Sequence, residues 1–73
     1  MDFKHSKKYI EIGKKISEFR IKRNLTQEEL ANEVGISYSY MTQIEAPKVV
    51  KKMSLEVLFD IAEVLKIDVK DLL

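Results

Sequence analysis

Two short helical segments with well-defined ends constrain this chain more than any other feature of its sequence. Thr26 can cap a helix that begins at Gln27, and Glu29 completes a capping box with Thr26. Gly35 stands where that helix needs a left-handed residue to end, and Ser37 can cap the next helix. The sequence therefore predicts two short helices, called helix 2 and helix 3, that are joined by a tight turn.

Apolar residues at helical spacing predict a first helix before this pair. Ile12, Ile16 and Phe19 recur at intervals of four and three residues, which places helix 1 at about residues 6–23. Pro47 must end helix 3, because its ring prevents a helix from continuing.

The C-terminal part of the chain predicts two more helices. Ser54 can cap a fourth helix, and Asp68 can cap a short last helix that ends near Leu72. The inner faces of helices 2 and 4 are predicted to consist of Leu30, Ala31, Val34, Leu55, Leu58, Ile61, Ala62 and Leu65. Because no segment is long enough to build a sheet, the sequence predicts an all-α, compact bundle of about five helices.

Composition limits the class of protein. A chain of 73 residues with 45% hydrophobic and 34% charged residues predicts one globular domain with one modest core. There is no cysteine, which excludes disulfides, thiolate metal sites and a cysteine nucleophile. No apolar segment has the length of a signal peptide or a membrane span, so we expect a cytoplasmic protein.

Basic residues are concentrated in two parts of the chain. Residues 1–23 have a net charge of +5 and residues 46–52 a net charge of +3. Residues 24–45 and 53–73 have net charges of −4 and −3, so the whole chain has only +1. The two basic segments therefore flank the acidic stretch that contains helices 2 and 3.

The spacing of residues in helices 2 and 3 resembles the Cro/phage-repressor-like family, also called the xenobiotic response element (XRE) family. Ala31 lies four residues after Gln27, Gly35 follows four residues later, and the apolar Met41 and Ile44 come beyond it. The similarity covers about residues 10–73 and includes IGKKISEFR, LTQEELA and LEVLFDIAEVLKIDVKDLL. It implies a lambda-repressor-like DNA-binding domain with a helix-turn-helix at helices 2 and 3, preceded by an N-terminal extension of residues 1–9.

Helix 3 is predicted to separate polar from apolar side chains. At 100° per residue, one arc contains Tyr38, Ser39, Thr42 and Gln43, and the other contains the anchors Met41 and Ile44. A helix fits the major groove of B-DNA, where Gln43 can pair with adenine and hydroxyl groups can donate or accept. We therefore expect the polar arc to contact bases, although plain solvation explains Thr42 equally well. The resemblance adds a DNA contact by Gln27.

Other residues are expected to contact the DNA backbone or to support helix 3. Lys48, Lys51 and Lys52 follow helix 3, and Tyr40 lies off the polar arc, so we expect these four to contact phosphates. The resemblance implies a partly buried ion pair between Arg20 and Glu45. Ala46-Pro47 occupies the place where the family usually has a polar residue and glycine, which argues against a left-handed end for helix 3.

Two functions are consistent with these features. The first is a sequence-specific, double-stranded DNA-binding transcriptional regulator, repressor-like, that binds a partly palindromic operator as a homodimer through helix 4 and the C-terminal helix, with Val69, Leu72 and Leu73. The second is a protein-interaction or antitoxin-like module that uses the same fold and binds DNA weakly.

An enzyme is not expected. The sequence has no nucleophile–base pair, Gly-rich phosphate loop or metal-ligand cluster, and the core is too small to enclose a substrate pocket. No cofactor, metal ion, small-molecule ligand or membrane contact is expected either.

Overall fold

The computed structural model describes residues 4–73, and these form a helical bundle. The four α-helices are α1 (Ser6–Lys22), α2 (Gln27–Val34), α3 (Tyr38–Glu45) and α4 (Leu55–Leu65), followed by a 3₁₀ helix at Val69–Leu72. The described part contains no strand. The all-α prediction is confirmed, and the predicted fifth helix is a single 3₁₀ turn rather than an α-helix.

The ends of α2 lie where local hydrogen bonding places them. The Thr26 hydroxyl accepts from the Glu29 amide at 3.0 Å, and the Glu29 carboxylate accepts from the Thr26 amide at 2.8 Å. Gly35 ends the helix with a φ of 87°, a conformation that is strained for any residue with a Cβ. The capping box and the left-handed glycine predicted from the sequence are both confirmed.

The ends of α3 follow from a serine and a proline. The Ser37 hydroxyl accepts from the Tyr40 amide at 3.0 Å, which caps the first turn. At the other end Ala46 adopts φ −65° and ψ 126°, because proline disfavours the helical region for the residue before it. Helix α3 therefore ends in extended backbone, as the sequence predicts.

The core lies where α1, α2, α3 and α4 meet. Its buried members are Ile16, Leu30, Ala31, Met41, Ile44, Leu58, Ile61, Ala62, Leu65 and Leu72. Leu55 was predicted on the inner face of α4, but 62% of it is exposed. Leu55 is the first residue of α4, and at this end of the helix its side chain lies beyond the core.

The C-terminal 3₁₀ helix also differs from expectation. Leu72 is fully buried in the core of the single chain, so it is not available as part of a dimer surface. Leu73 remains 65% exposed, and Val69 is partly buried against the core. None of the helices within residues 4–73 is long and apolar enough to cross a membrane.

Candidate nucleic-acid interface

Helix α3 is attached to the core by one face and exposed on the other. Met41 and Ile44 are 0% and 2% exposed, which confirms their predicted role as anchors. Tyr38 is 54% exposed and Ser39 is also exposed, whereas Thr42 and Gln43 are partly buried. The polar arc predicted from the sequence therefore lies on the open face of α3.

The C-terminal end of α3 is joined to α1 by an ion pair. Arg20 Nε donates to Glu45 Oε2 at 2.8 Å, and Arg20 Nη2 donates to Glu45 Oε1 at 3.0 Å. The third guanidinium nitrogen, Nη1, donates to the Leu25 carbonyl at 2.7 Å. The Glu45 side chain is only 3% exposed and that of Arg20 13%, so the pair is largely excluded from water.

Gln27 belongs to the same junction. Its Nε2 donates to Glu45 Oε1 at 3.0 Å, which connects the first residue of α2 to the last residue of α3. One amide hydrogen of Gln27 is used in this way, and the second amide hydrogen and the carbonyl oxygen remain for other partners. Glu45 therefore fixes the orientation of an amide that was predicted to contact DNA.

Gly13 completes the junction and was not identified from the sequence as a site residue. A Cβ at this position would collide with the backbone carbonyl of Ile44, so only glycine allows α1 to approach α3 this closely. A glycine within a helix costs about 1 kcal/mol relative to alanine. This cost is the feature by which Gly13 could have been identified from the sequence, because a glycine inside a helix usually has a packing reason.

Thr42 has an internal partner. Its Oγ1 donates to the Ser39 carbonyl at 2.8 Å, one turn earlier in α3. A hydroxyl has a single hydrogen, so in this conformation Thr42 offers a base only its oxygen lone pairs and its methyl group.

A shallow groove lies between the start of α3 and the loop that follows it. Its volume is about 440 Å³, and it is lined by Ser37, Ser39, Tyr40, Gln43, Lys51 and Lys52. The structure therefore brings two of the predicted base-contacting residues together with two of the predicted phosphate-contacting lysines. Tyr38 and Lys48 are exposed but do not line the groove, and Gln27 lies at the Glu45 junction instead.

Tyr40 is bound to this loop. Its hydroxyl donates to the Lys52 carbonyl at 3.3 Å, and Lys51 Nζ lies 5.5 Å from the centre of its ring. The tyrosine that was predicted to donate to a phosphate thus uses its only hydrogen within the protein.

A metal site is not formed by the described residues. Within residues 4–73 there is no group of three or more His, Cys, Asp or Glu side chains that could hold a metal ion.

Solved structures of regulators are similar to this chain. The restriction-modification controller protein C.AhdI from Aeromonas hydrophila superposes with a TM-score of 0.81 at 28% identity, covering 89% of this chain and 96% of its own. SinR, described as the master regulator for biofilm formation and solved in complex with DNA, gives 0.77 at 30% identity, covering 84% and 95%. The SinR–SinI protein complex gives 0.78 at 31% identity, covering 85% and 59%.

The family model gives the same result from the sequence. The search of curated proteins found no match to this chain. The model of the Cro/C1-type HTH DNA-binding domain matches residues 15–73, which include all of α2, α3 and α4. Its fold and family are those of DNA-binding transcriptional regulators rather than enzymes. The chain belongs to the Cro/C1-type helix-turn-helix DNA-binding domain family.

Proposed function

We propose that this regulator binds a specific operator by inserting α3 into the major groove of duplex DNA. The observation that supports this proposal is the two-sided environment of α3: Met41 and Ile44 are buried, whereas the polar arc reaches solvent, with Tyr38 and Ser39 exposed and Thr42 and Gln43 partly buried. A helix that is fixed on one side and polar on the other can present hydrogen-bonding groups to base edges. The domain that performs this function is residues 10–73, with residues 1–9 as an extension.

Base contacts are assigned to the polar arc of α3. Gln43 has the amide geometry for adenine N6 and N7, and Ser39 can donate or accept. Tyr38, the most exposed tyrosine of α3, can place its ring against a thymine methyl group. Thr42 contributes at most acceptor and methyl contacts, because its hydroxyl hydrogen is donated to the Ser39 carbonyl. Gln27 can contact DNA with its second amide hydrogen while the first stays on Glu45.

Backbone contacts are assigned to the basic loop and to α2. Lys48, Lys51 and Lys52 supply the positive charge next to α3. At the first turn of α2 the Glu29 amide is donated to Thr26, which leaves the backbone amides of Gln27 and Glu28 as possible donors to a second phosphate. These contacts carry no sequence information, so they would attract every duplex in a salt-dependent way.

The proposed operator complex is a homodimer on a partly palindromic site. Leu55 and Phe59 lie four residues apart on α4 and are 62% and 48% exposed, which leaves an apolar strip on the outer face of that helix. Leu73 is a third exposed apolar side chain, near the C-terminal end. Two copies would place their α3 helices in successive major grooves about 34 Å apart.

The similar structures support DNA as the partner and leave a second candidate. SinR was solved with DNA, and C.AhdI is a controller protein of a restriction-modification system. SinR was also solved with the protein SinI, which supports a protein-interaction module as the second function for this fold. A duplex-binding regulator acts where the genome is, so the cytoplasmic location expected from the sequence is part of the proposal.

Selection of bound sequences from a random duplex pool tests the proposal. We expect one enriched palindromic motif, a steep loss of affinity as salt is raised, and a 2:1 protein-to-duplex complex in sedimentation.

Phe59→Glu should shift the free protein to monomer and weaken operator binding without altering the preferred half-site. No enriched motif, together with weak binding to all duplexes, would favour the protein-interaction module. A wild-type protein that is monomeric both free and on the operator would contradict the proposed homodimer.

A further inference from the structure

The loop between α3 and α4 spans residues 46–54 and has no regular secondary structure. The lysines that the proposed function assigns to phosphates lie on this loop. A flexible lysine must be immobilised when it binds, and this loss of freedom weakens binding by roughly 0.5 to 1.5 kcal/mol per side chain. What holds this loop next to α3 in the free protein therefore matters for DNA affinity.

Tyr40 makes two different contacts with the loop. Its hydroxyl donates to the Lys52 carbonyl at 3.3 Å, which ties the loop backbone to α3. The face of its ring lies 5.5 Å from Lys51 Nζ, a distance at which a cation is attracted to an aromatic ring. The Tyr40 side chain is partly buried and packs against the core. Because the core holds the ring in place, its two contacts hold the loop in place as well.

The hydroxyl contact also limits what Tyr40 can do directly. A phosphate oxygen only accepts hydrogen bonds, and the single hydroxyl hydrogen of Tyr40 is already donated to Lys52. Ser37, Ser39 and Gln43 line the same groove as the two lysines, and each of these side chains has a polar hydrogen to donate. The groove beside α3 thus has donors for a phosphate without the Tyr40 hydroxyl.

We propose that Tyr40 is a positioning residue that holds Lys51 and the Lys52 backbone over the groove next to α3, where a DNA phosphate binds. This inference rests on the proposed function, and it assigns to Tyr40 an indirect role in place of a phosphate contact. Although Tyr40 is uncharged, replacing it should therefore change the number of phosphate charges that the protein neutralises.

The salt dependence of binding measures that number. Tyr40→Leu should weaken binding to operator and random duplex alike by about 3- to 10-fold, the range for one side chain that must now be immobilised on binding. It should also flatten the slope of log K against log salt by roughly 0.5 to 1, because Lys51 is no longer held at a phosphate. Tyr40→Phe keeps the ring, so it should flatten the slope less than Tyr40→Leu does.

Two comparisons make the result specific. In a background of Lys51→Met with Lys52→Met, Tyr40→Leu should have little further effect on affinity or slope, since neither lysine that Tyr40 positions is left. Tyr38→Leu is the matched control. It removes a tyrosine from the exposed face of the same helix and should weaken operator binding at an unchanged slope. Thermal unfolding of each variant shows that the folded protein is being compared.

A measurement on the free protein separates this inference from the proposed function. The Tyr40 ring should shift the Lys51 ε-methylene protons upfield in the NMR spectrum, and the shift should persist in Tyr40→Phe and vanish in Tyr40→Leu. A wild-type protein that shows this shift and binds no duplex would contradict the proposed function. Wild-type binding with an unchanged salt slope in Tyr40→Leu, or an additive effect in the Lys51→Met, Lys52→Met background, would overturn the positioning role.

Discussion

The two ends of α3 have opposite surroundings. At the C-terminal end, Glu45 is 3% exposed and accepts from both Arg20 and Gln27, and Gly13 allows α1 to approach the backbone. At the N-terminal end, Tyr38 is 54% exposed. The C-terminal end is held by charge pairing and close backbone contact, whereas the N-terminal end exposes the Tyr38 ring and the Ser39 hydroxyl to solvent. One short helix can therefore be held in a fixed position at one end and still present free polar groups to a ligand at the other.

Removing the charge pair tests the fixed end most severely. Arg20→Ala would leave Glu45 as a buried charge without its guanidinium partner, and breaking a buried pair in this way costs about 3 to 5 kcal/mol. We expect a loss of that size in the free energy of unfolding measured by urea denaturation. Arg23→Ala is the control, because Arg23 is exposed and next to the end of the same helix. Equal stability of the two variants would contradict the structural role of the pair.

A methyl group at Gly13 tests the close approach of α1 to α3. Gly13→Ala would place a Cβ against the Ile44 carbonyl, and this overpacking should destabilise the fold by about 1 to 3 kcal/mol, even though alanine favours helix. Gly35→Ala is the comparison at the turn, where a Cβ meets no atom within 4 Å and only the positive φ opposes it, by about 1 to 2 kcal/mol. A Gly13→Ala protein more stable than wild type would show that α1 and α3 are not in contact there.

Gln43 tests the exposed face of α3. Gln43→Ala should leave the free energy of unfolding within about 0.5 kcal/mol of wild type. If Gln43 pairs with adenine, operator binding should weaken by about 1 to 3 kcal/mol while random duplex is little affected. Binding-site selection with the variant should show a relaxed preference at one position per half-site. An unchanged sequence preference would remove Gln43 from the base contacts.

Thr42 should give the smallest effect. Thr42→Val keeps the shape of the side chain and removes a hydroxyl that bonds within α3. Such back-bonding contributes little to helix stability, so we expect changes within about 0.5 kcal/mol in both unfolding and operator binding. A loss of base preference comparable to that of Gln43→Ala would mean that the hydroxyl leaves Ser39 when DNA binds.

Local patterns determined where the helices begin and end. The capping box of Thr26 and Glu29, the left-handed Gly35, the Ser37 cap and the extended residue before Pro47 all depend on atoms within a few residues of one another. Such interactions have the same geometry in any surroundings, which is why they can be predicted from sequence. The periodicity of apolar residues likewise predicted the anchors of α3 and the helical fold.

Tertiary contacts decided what the side chains of the site do. Gly13 meets Ile44, Tyr40 meets Lys52, and Gln27 meets Glu45, across separations that no local pattern encodes. Leu55 and Leu72 were misplaced for the same reason, since a helical stripe gives the direction of a side chain but not how far the core extends. The sequence by itself determined the helices and the polar arc of α3. Only the packing of those helices decided which polar groups are used within the protein and which remain for DNA, because each hydrogen can be donated only once.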